Sequence, residues 1–161
     1  MMLTRADLED RLTYDPATGV FVWKIKRGRS RGRQVAGYKR PDGYWCIVVN
    51  CVPQMAHRLA WIMMTGSRPP ADIDHINGDR ADNRWANLRS ATRSQNNANS
   101  RPRRDGCLKG VSKRSRDGRY VAQISVGGRK RYIGLFATEE EAHAAYAAEA
   151  TKHYGEFARV V

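Results

Sequence analysis

No apolar run in this 161-residue sequence is long enough to cross a membrane. The longest, "LAWIMM" at 59–64, is far short of the roughly 20 residues that a bilayer demands, which excludes a helical membrane protein. The opening "MMLTRADLED" is polar and acidic almost at once, so no secretory signal is expected. Cysteine is scarce: Cys46, Cys51 and Cys107 form no CxxC pair and leave an odd thiol. That pattern excludes a zinc knuckle and a disulfide framework, and a reducing cytoplasm is the expected location. Negative charge is short as well, 16 Asp+Glu against 29 Lys+Arg, for a net +13. An imbalance of this size points to a polyanionic partner, nucleic acid before an acidic membrane surface.

What remains is enough for one ordinary domain or two small ones. Thr4 with Asp7 forms a capping-box pattern opening a short helix through Leu8 and Leu12. "DPATG" at 15–19 is a turn and "VFVWKI" at 20–25 a strand. "KRGRSRGR" at 26–33 has no apolar anchor and reads as a basic loop, with Arg29, Arg31 and Arg33 available to grip a duplex. "GYWCIVVN" at 43–50 is a second strand, and "QMAHRLAWIMMTG" at 54–66 a helix stopped by Gly66. The basic "SRPRRDG" divides the chain into a first domain at 1–100, a linker at 101–108 and a second domain at 109–161. Beyond it "GVSKRS", "YVAQISV" and "RYIGLF" read as strands, the last two joined by Gly127-Gly128. Thr138 with Glu141 then opens an Ala-rich helix to Gly155. The fold class is α+β.

The segment "DIDHINGDRADNRWANL" at 72–88 carries the chemistry. Cutting a phosphodiester needs a hard cation on oxygen ligands and a base that is neutral near pH 7. Asp74 and His75 stand at a strand end running into a turn, where both can flank one phosphate. In "NLRSATRSQNNAN" at 87–99, Thr92 with Gln95 is another capping box, which puts Asn96 just past the first turn of a helix and favours it as the helix ligand over the alternatives Asn97 and Asn99. A strand, a polar loop, a second strand and this helix would fold Asn96 back beside Asp74. Two oxygen ligands with water and phosphate completing the shell suit Mg²⁺ or Mn²⁺ better than zinc. Asp72, Asp79, Asp82, Asn77, Asn83 and Asn97 are accounted for by turn chemistry, and His57 by packing on its helix.

The run "DHINGDRADNRWANLRSATRSQNNAN" resembles the HNH (ββα-metal) endonucleases, especially the small homing type of phages and introns that lacks zinc cysteines. "DPATGVFVWK", "DGY" and "HRLAW" resemble the lead-in of such enzymes, so the likeness covers about residues 10–100. The resemblance implies that Asp74 and Asn96 bind the metal, that His75 is the general base and that Asn87 buttresses the histidine loop.

Residues 109–158 resemble the AP2/ERF-type DNA-binding domain through "KGV", "YVAQI", "YIGLF", "TEEEAHAAY" and "GEFA". The resemblance implies a three-stranded antiparallel sheet packed on one helix and laid in the major groove. Alternation turns Tyr120, Ala122, Ile124 and Val126 towards the helix and Val121, Gln123 and Ser125 outward. On matching positions Lys109, Arg114, Arg116, Lys130 and Tyr132 join the outward, DNA-contacting set. Ser112, Arg116, Gln123 and Tyr132 depart from the plant pattern, so its sequence preference is not carried over, and phosphate contact is the expected role of the basic residues. His143 and His153 are expected on the helix surface without a role.

The expected function is a metal-dependent, site-directed endonuclease of the homing type, acting on double-stranded DNA in a bacterial or phage-infected cell, with no protein or membrane partner. The competing reading is a non-catalytic DNA-binding regulator with a relic HNH segment. Activity is expected to fade below about pH 6.5 as imidazole protonates, and truncation at residue 104 to weaken DNA binding more than chemistry.

Overall fold

Thr4 closes the first helix from both directions. Its Oγ1 accepts from Asp7 N at 3.2 Å while Asp7 Oδ2 accepts from Thr4 N at 2.9 Å, so two backbone donors that the helix cannot satisfy are paired. The computed structural model describes residues 3–24, 34–69, 71–102 and 108–160, and the chain divides into two compact units, 1–90 and 91–161.

In the first unit, α1 (Arg5–Glu9) stops before Leu12, which was expected inside it; Leu12 instead opens β1 (Leu12–Asp15). Leu8 and Leu12 are both fully buried, so core burial is served by a turn of helix followed by a strand. β1 pairs antiparallel with β2 (Val20–Trp23), Tyr14 opposite Phe21 with their rings stacked at 4.6 Å. Between them Asp15 accepts from Ala17 N at 2.9 Å and from Thr18 Oγ1 at 2.7 Å. Gly19 has φ +75°, and a Cβ there would lie 2.5 Å from Arg84 N, so glycine lets this hairpin back onto the segment preceding Trp85. Ile25 and the basic loop with Arg29, Arg31 and Arg33 lie outside the described residues.

β3 (Tyr38–Lys39), β4 (Trp45–Val49) and β5 (Val52–Met55) form an antiparallel sheet in that order. Asn50 and Cys51, both left-handed at φ 52° and 63°, make the two-residue turn from β4 to β5 that matches the twist of the strands. α2 (Ala56–Thr65) follows directly and ends at Gly66, whose φ is 74° and whose N–H donates to Ile62 O at 2.8 Å. β6 (Asp72–His75) pairs with β7 (Leu88–Ala91), and the polar loop between them ends in one 3₁₀ turn at Trp85–Asn87. Leu8, Leu12, Phe21, Ile47, Leu59 and Ile73 are among the buried side chains of one core that these elements share, each contributing about 2 kcal/mol by removal from water.

In the second unit α3 (Arg93–Asn99) has the Thr92–Gln95 capping box formed. β8 (Val111–Lys113), β9 (Tyr120–Val126) and β10 (Arg129–Phe136) make an antiparallel sheet with β9 central. Gly127 and Gly128, at φ 59° and 78°, turn β9 into β10. A bulge between Tyr132 and Gly134 sends Ile133 towards the core. α4 (Glu139–Tyr154) packs Ala142, Tyr146 and Ala150 on Ala122 and Ile124; its alanines bring the helix close to the sheet, and Gly110 lies so near the Tyr146 ring that any side chain there would overlap it. The division at 90/91 puts α3 with this unit, ten residues ahead of the boundary expected at the basic linker. α3 is bound to α4 and the residues after it: Ser94 Oγ meets Tyr154 OH at 3.0 Å, and Arg159 N donates to Ala98 O at 3.3 Å.

Candidate active site

β6 ends on two buried titratable groups in succession, Asp74 at 3% and His75 at 4% exposure. A buried carboxylate must be paired to remain ionised. Here Arg89, on the neighbouring β7, directs Nε and a terminal nitrogen onto Asp74 Oδ2, each at 2.9 Å. Arg89 had no place in the sequence reading; the available signal was a lone basic residue within a four-residue strand whose ends, Leu88 and Ala91, are apolar and buried. A carboxylate has about four lone-pair sites, so pairing with Arg89 is compatible with a hard cation on the same group, and oxygen donors suit Mg²⁺. Among the described residues no three or more His, Cys, Asp or Glu side chains converge as a metal-binding group. Among the described residues a cation at Asp74 would therefore find at most one further ligand of those types, the others coming from an amide, water or phosphate.

The His75 ring is enclosed by other rings. His57 of α2 meets it edge to face, centroids 5.1 Å apart at 84°, and Tyr44 lies 5.9 Å from it and 5.3 Å from His57. Burial pushes the His75 imidazole below its usual value, opposed by Asn83 beside it and by the charges of Asp74, Asp79 and Asp82. Burial pushes His57 down to about 3, helped by the positive charge that His75 or Arg58 would place beside it. Both imidazoles are thus neutral at neutral pH, the form in which one can accept a proton. The packing role expected for His57 is observed, and its partner is the candidate base.

The loop after His75 is held by side chains that take the place of regular structure. Gly78 N donates to His75 O at 2.8 Å and Asp79 N to Asn77 Oδ1 at 2.8 Å. Ala81 N donates to Asp79 Oδ1 at 2.9 Å, and Arg84 N to Asp82 Oδ1 at 3.2 Å. These are Asx turns, as expected for Asn77, Asp79 and Asp82; the Arg84 guanidinium holds the Asp82 carboxyl down at about 2. Asn83 donates to Ala81 O at 2.8 Å. Asn87 spans the loop: Oδ1 accepts from Asn77 N at 3.0 Å, Nδ2 donates to Asp82 O at 2.8 Å, and its carbonyl accepts from Ile76 N at 2.9 Å. Asp74, His75 and Asn87 are therefore brought together in the first unit. Asn96 lies on α3 in the second unit, half-buried, between half-buried Gln95 and exposed Asn97, while Asn99 is buried.

Of the residues expected to contact DNA, Gln123, Lys130 and Tyr132 share one face of the second unit's sheet. Tyr132 stands opposite Gln123 and Lys130 opposite Ser125, and Tyr132 is 67% exposed. Arg116 is exposed in the turn between β8 and β9. Arg114 is paired with Asp117 in the same turn, through Nε at 2.9 Å and a second nitrogen. Lys109 departs from the outward placement: its ammonium is directed at backbone carbonyls of α3. His143, expected to be idle, has Nδ1 3.0 Å from Lys109 O and Nε2 3.1 Å from Val160 O.

Comparison with known proteins bears on the first of these regions. Residues 54–98 match the family model described as HNH endonuclease, a segment that runs from β5 through most of α3 and includes His57, Asp74, His75, Asn87, Arg89 and Asn96. A protein of Acanthamoeba polyphaga mimivirus described as an uncharacterized HNH endonuclease is 35% identical over 104 residues, 63% of this chain and 54% of the relative. The chain thus spans about half the length of that relative. An HNH endonuclease family domain occupies residues 54–98, and the match stops short of β8.

Proposed function

We propose that the protein is a metal-dependent endonuclease of the homing type that hydrolyses phosphodiester bonds in double-stranded DNA, with its second unit, an AP2/ERF-like module, gripping the duplex. The observation that carries this reading is the buried Asp74–His75 pair at the end of β6, charge-balanced by Arg89 and followed by a loop that Asn87 braces, inside the segment matching HNH endonucleases. The net charge of +13 favours a nucleic acid as substrate.

Neutral His75 takes the proton of the attacking water. Asn87 fixes the loop that leaves His75, and the His57 and Tyr44 rings restrict the imidazole's orientation. Arg89 pairs with the Asp74 carboxylate and fixes its position. Asp74 and Asn96 are the residues that would hold a divalent cation, Mg²⁺ or alternatively Mn²⁺, which would supply charge stabilisation at the scissile phosphate and the leaving 3′ oxygen. The products are 5′-phosphate and 3′-hydroxyl ends.

Supercoiled plasmid incubated with the protein, with Mg²⁺ and with a chelator, tests this directly. Nicked or linear DNA that depends on Mg²⁺ is expected. Intact plasmid with retained duplex binding would leave a DNA-binding regulator with a relic HNH segment in its place.

A further inference from the structure

α3 has seven residues, too few for a helix to stand alone, and groups of the second unit bind both of its ends. At its C-terminal end Lys109 Nζ donates to Ala98 O and, at 2.7 Å, to Ser100 O, and lies 3.4 Å from Asn97 O. Ala98 O is one of the last carbonyls, for which a helix has no internal partner, at the negative end of its dipole. At its N-terminal end the Tyr154 hydroxyl donates to Ser125 O of β9 and so takes the Ser94 hydroxyl, 3.0 Å away, as its own donor. Arg159 N donates to Ala98 O at 3.3 Å. Lys109 is itself fixed, since its carbonyl faces His143 Nδ1 at 3.0 Å.

We propose that Lys109 and Tyr154 are positioning residues for Asn96: they clamp the two ends of α3 onto the sheet and helix of the second unit and thereby set where the Asn96 amide lies. This rests on Asn96 being a metal ligand, as proposed above. It also reassigns Lys109. A lysine that neutralises a phosphate needs its ammionium directed at the backbone of DNA, whereas this one is directed at peptide carbonyls.

The test uses the full chain carrying Lys109→Met, Lys109→Arg or Tyr154→Phe. Three quantities are measured: amide hydrogen exchange along α3 and β9, the Mg²⁺ concentration for half-maximal plasmid nicking at saturating DNA, and the salt dependence of duplex binding. Losing one such hydrogen bond raises the half-maximal Mg²⁺ and speeds α3 exchange by about tenfold each. Exchange in β9 stays as in the unsubstituted protein for the Lys109 variants, duplex affinity stays so for all three, and Lys109→Arg recovers most of the loss. Unchanged α3 exchange or an unchanged Mg²⁺ requirement overturns the proposal. So does a Lys109→Met protein that binds duplex more weakly with its salt slope reduced by about 1, which is the signature of a phosphate contact. Should Lys109→Met fail to fold, Tyr154→Phe decides alone, because it removes one hydroxyl and keeps the ring. If the unsubstituted protein nicks nothing, the nuclease reading fails by itself, and the exchange measurement still decides whether these residues hold α3.

Discussion

His57 and His75 meet edge to face in the interior of the first unit, and their shared burial has opposite consequences for stability and activity. His57 is held neutral down to about pH 3 in the folded chain, while the unfolded chain binds a proton below about 6.5. Between those values the unfolded state carries more protons, so stability is full above pH 6.5 and falls as pH drops towards 3, by up to about 1.4 kcal/mol per pH unit. Urea midpoints at pH 7.5 and 5 should differ more for the natural protein than for His57→Leu; equal differences would contradict the buried neutral ring. The same burial lowers His75, so the proposed base stays neutral below its ordinary titration range. The acid limb of cleavage should therefore be centred below pH 6.5, a correction to the value expected from an exposed imidazole, and a limb at or above 6.5 would count against it. His75→Ala should slow cleavage by roughly two to four orders of magnitude with duplex affinity nearly intact, measured as single-turnover rate and binding isotherm; equal loss in both would remove the general-base role. Arg89→Met leaves the Asp74 carboxylate buried without its balancing cation and should cost about 3 kcal/mol or more in chemical denaturation. A loss under about 1 kcal/mol would mean that other contacts already satisfy Asp74.

At the scale of elements, α3 decides how the two units should be handled. Truncation at residue 104 was expected to harm binding more than chemistry. With Lys109, Tyr154 and Arg159 removed, α3 keeps its capping box but loses the contacts these three residues make at its ends, so the fragment 1–104 should lose cleavage on saturating DNA by at least about tenfold. A fragment that cuts saturating duplex at the full rate would show that α3 holds itself. The capping boxes at Thr4, Thr92 and Thr138 were legible because a hydroxyl and an acidic or amide side chain three residues apart state a local hydrogen-bond exchange. β5 was not legible. Pro53 interrupts its pattern, and the turn before it uses Asn50 and Cys51 at positive φ where glycine would have signalled a hairpin. Asp74, His75 and Asn87 could be read from one contiguous segment. Arg89 and the ring cage of Tyr44 and His57 could not, since both depend on which strands and helices the fold brings together.

For the molecule as a whole, the excess of 13 positive charges favours a polyanionic partner, and on the proposed reading duplex affinity should fall steeply with salt, each neutralised phosphate adding about 0.9 to the log–log slope. Lys130, exposed on the sheet face with Gln123 and Tyr132, is placed to contribute on the proposed reading. Lys130→Gln should weaken binding similarly across unrelated duplexes and lower the slope by about 1; an unaltered slope would take Lys130 off the interface. The assignment of α3 to the second unit also bears on protein engineering. A chimera that exchanges the second unit by a join in the basic segment after Ser100 would strand the recipient's helix on a foreign scaffold. Splicing at Ser90 instead imports helix and scaffold as one cassette, already fitted to each other.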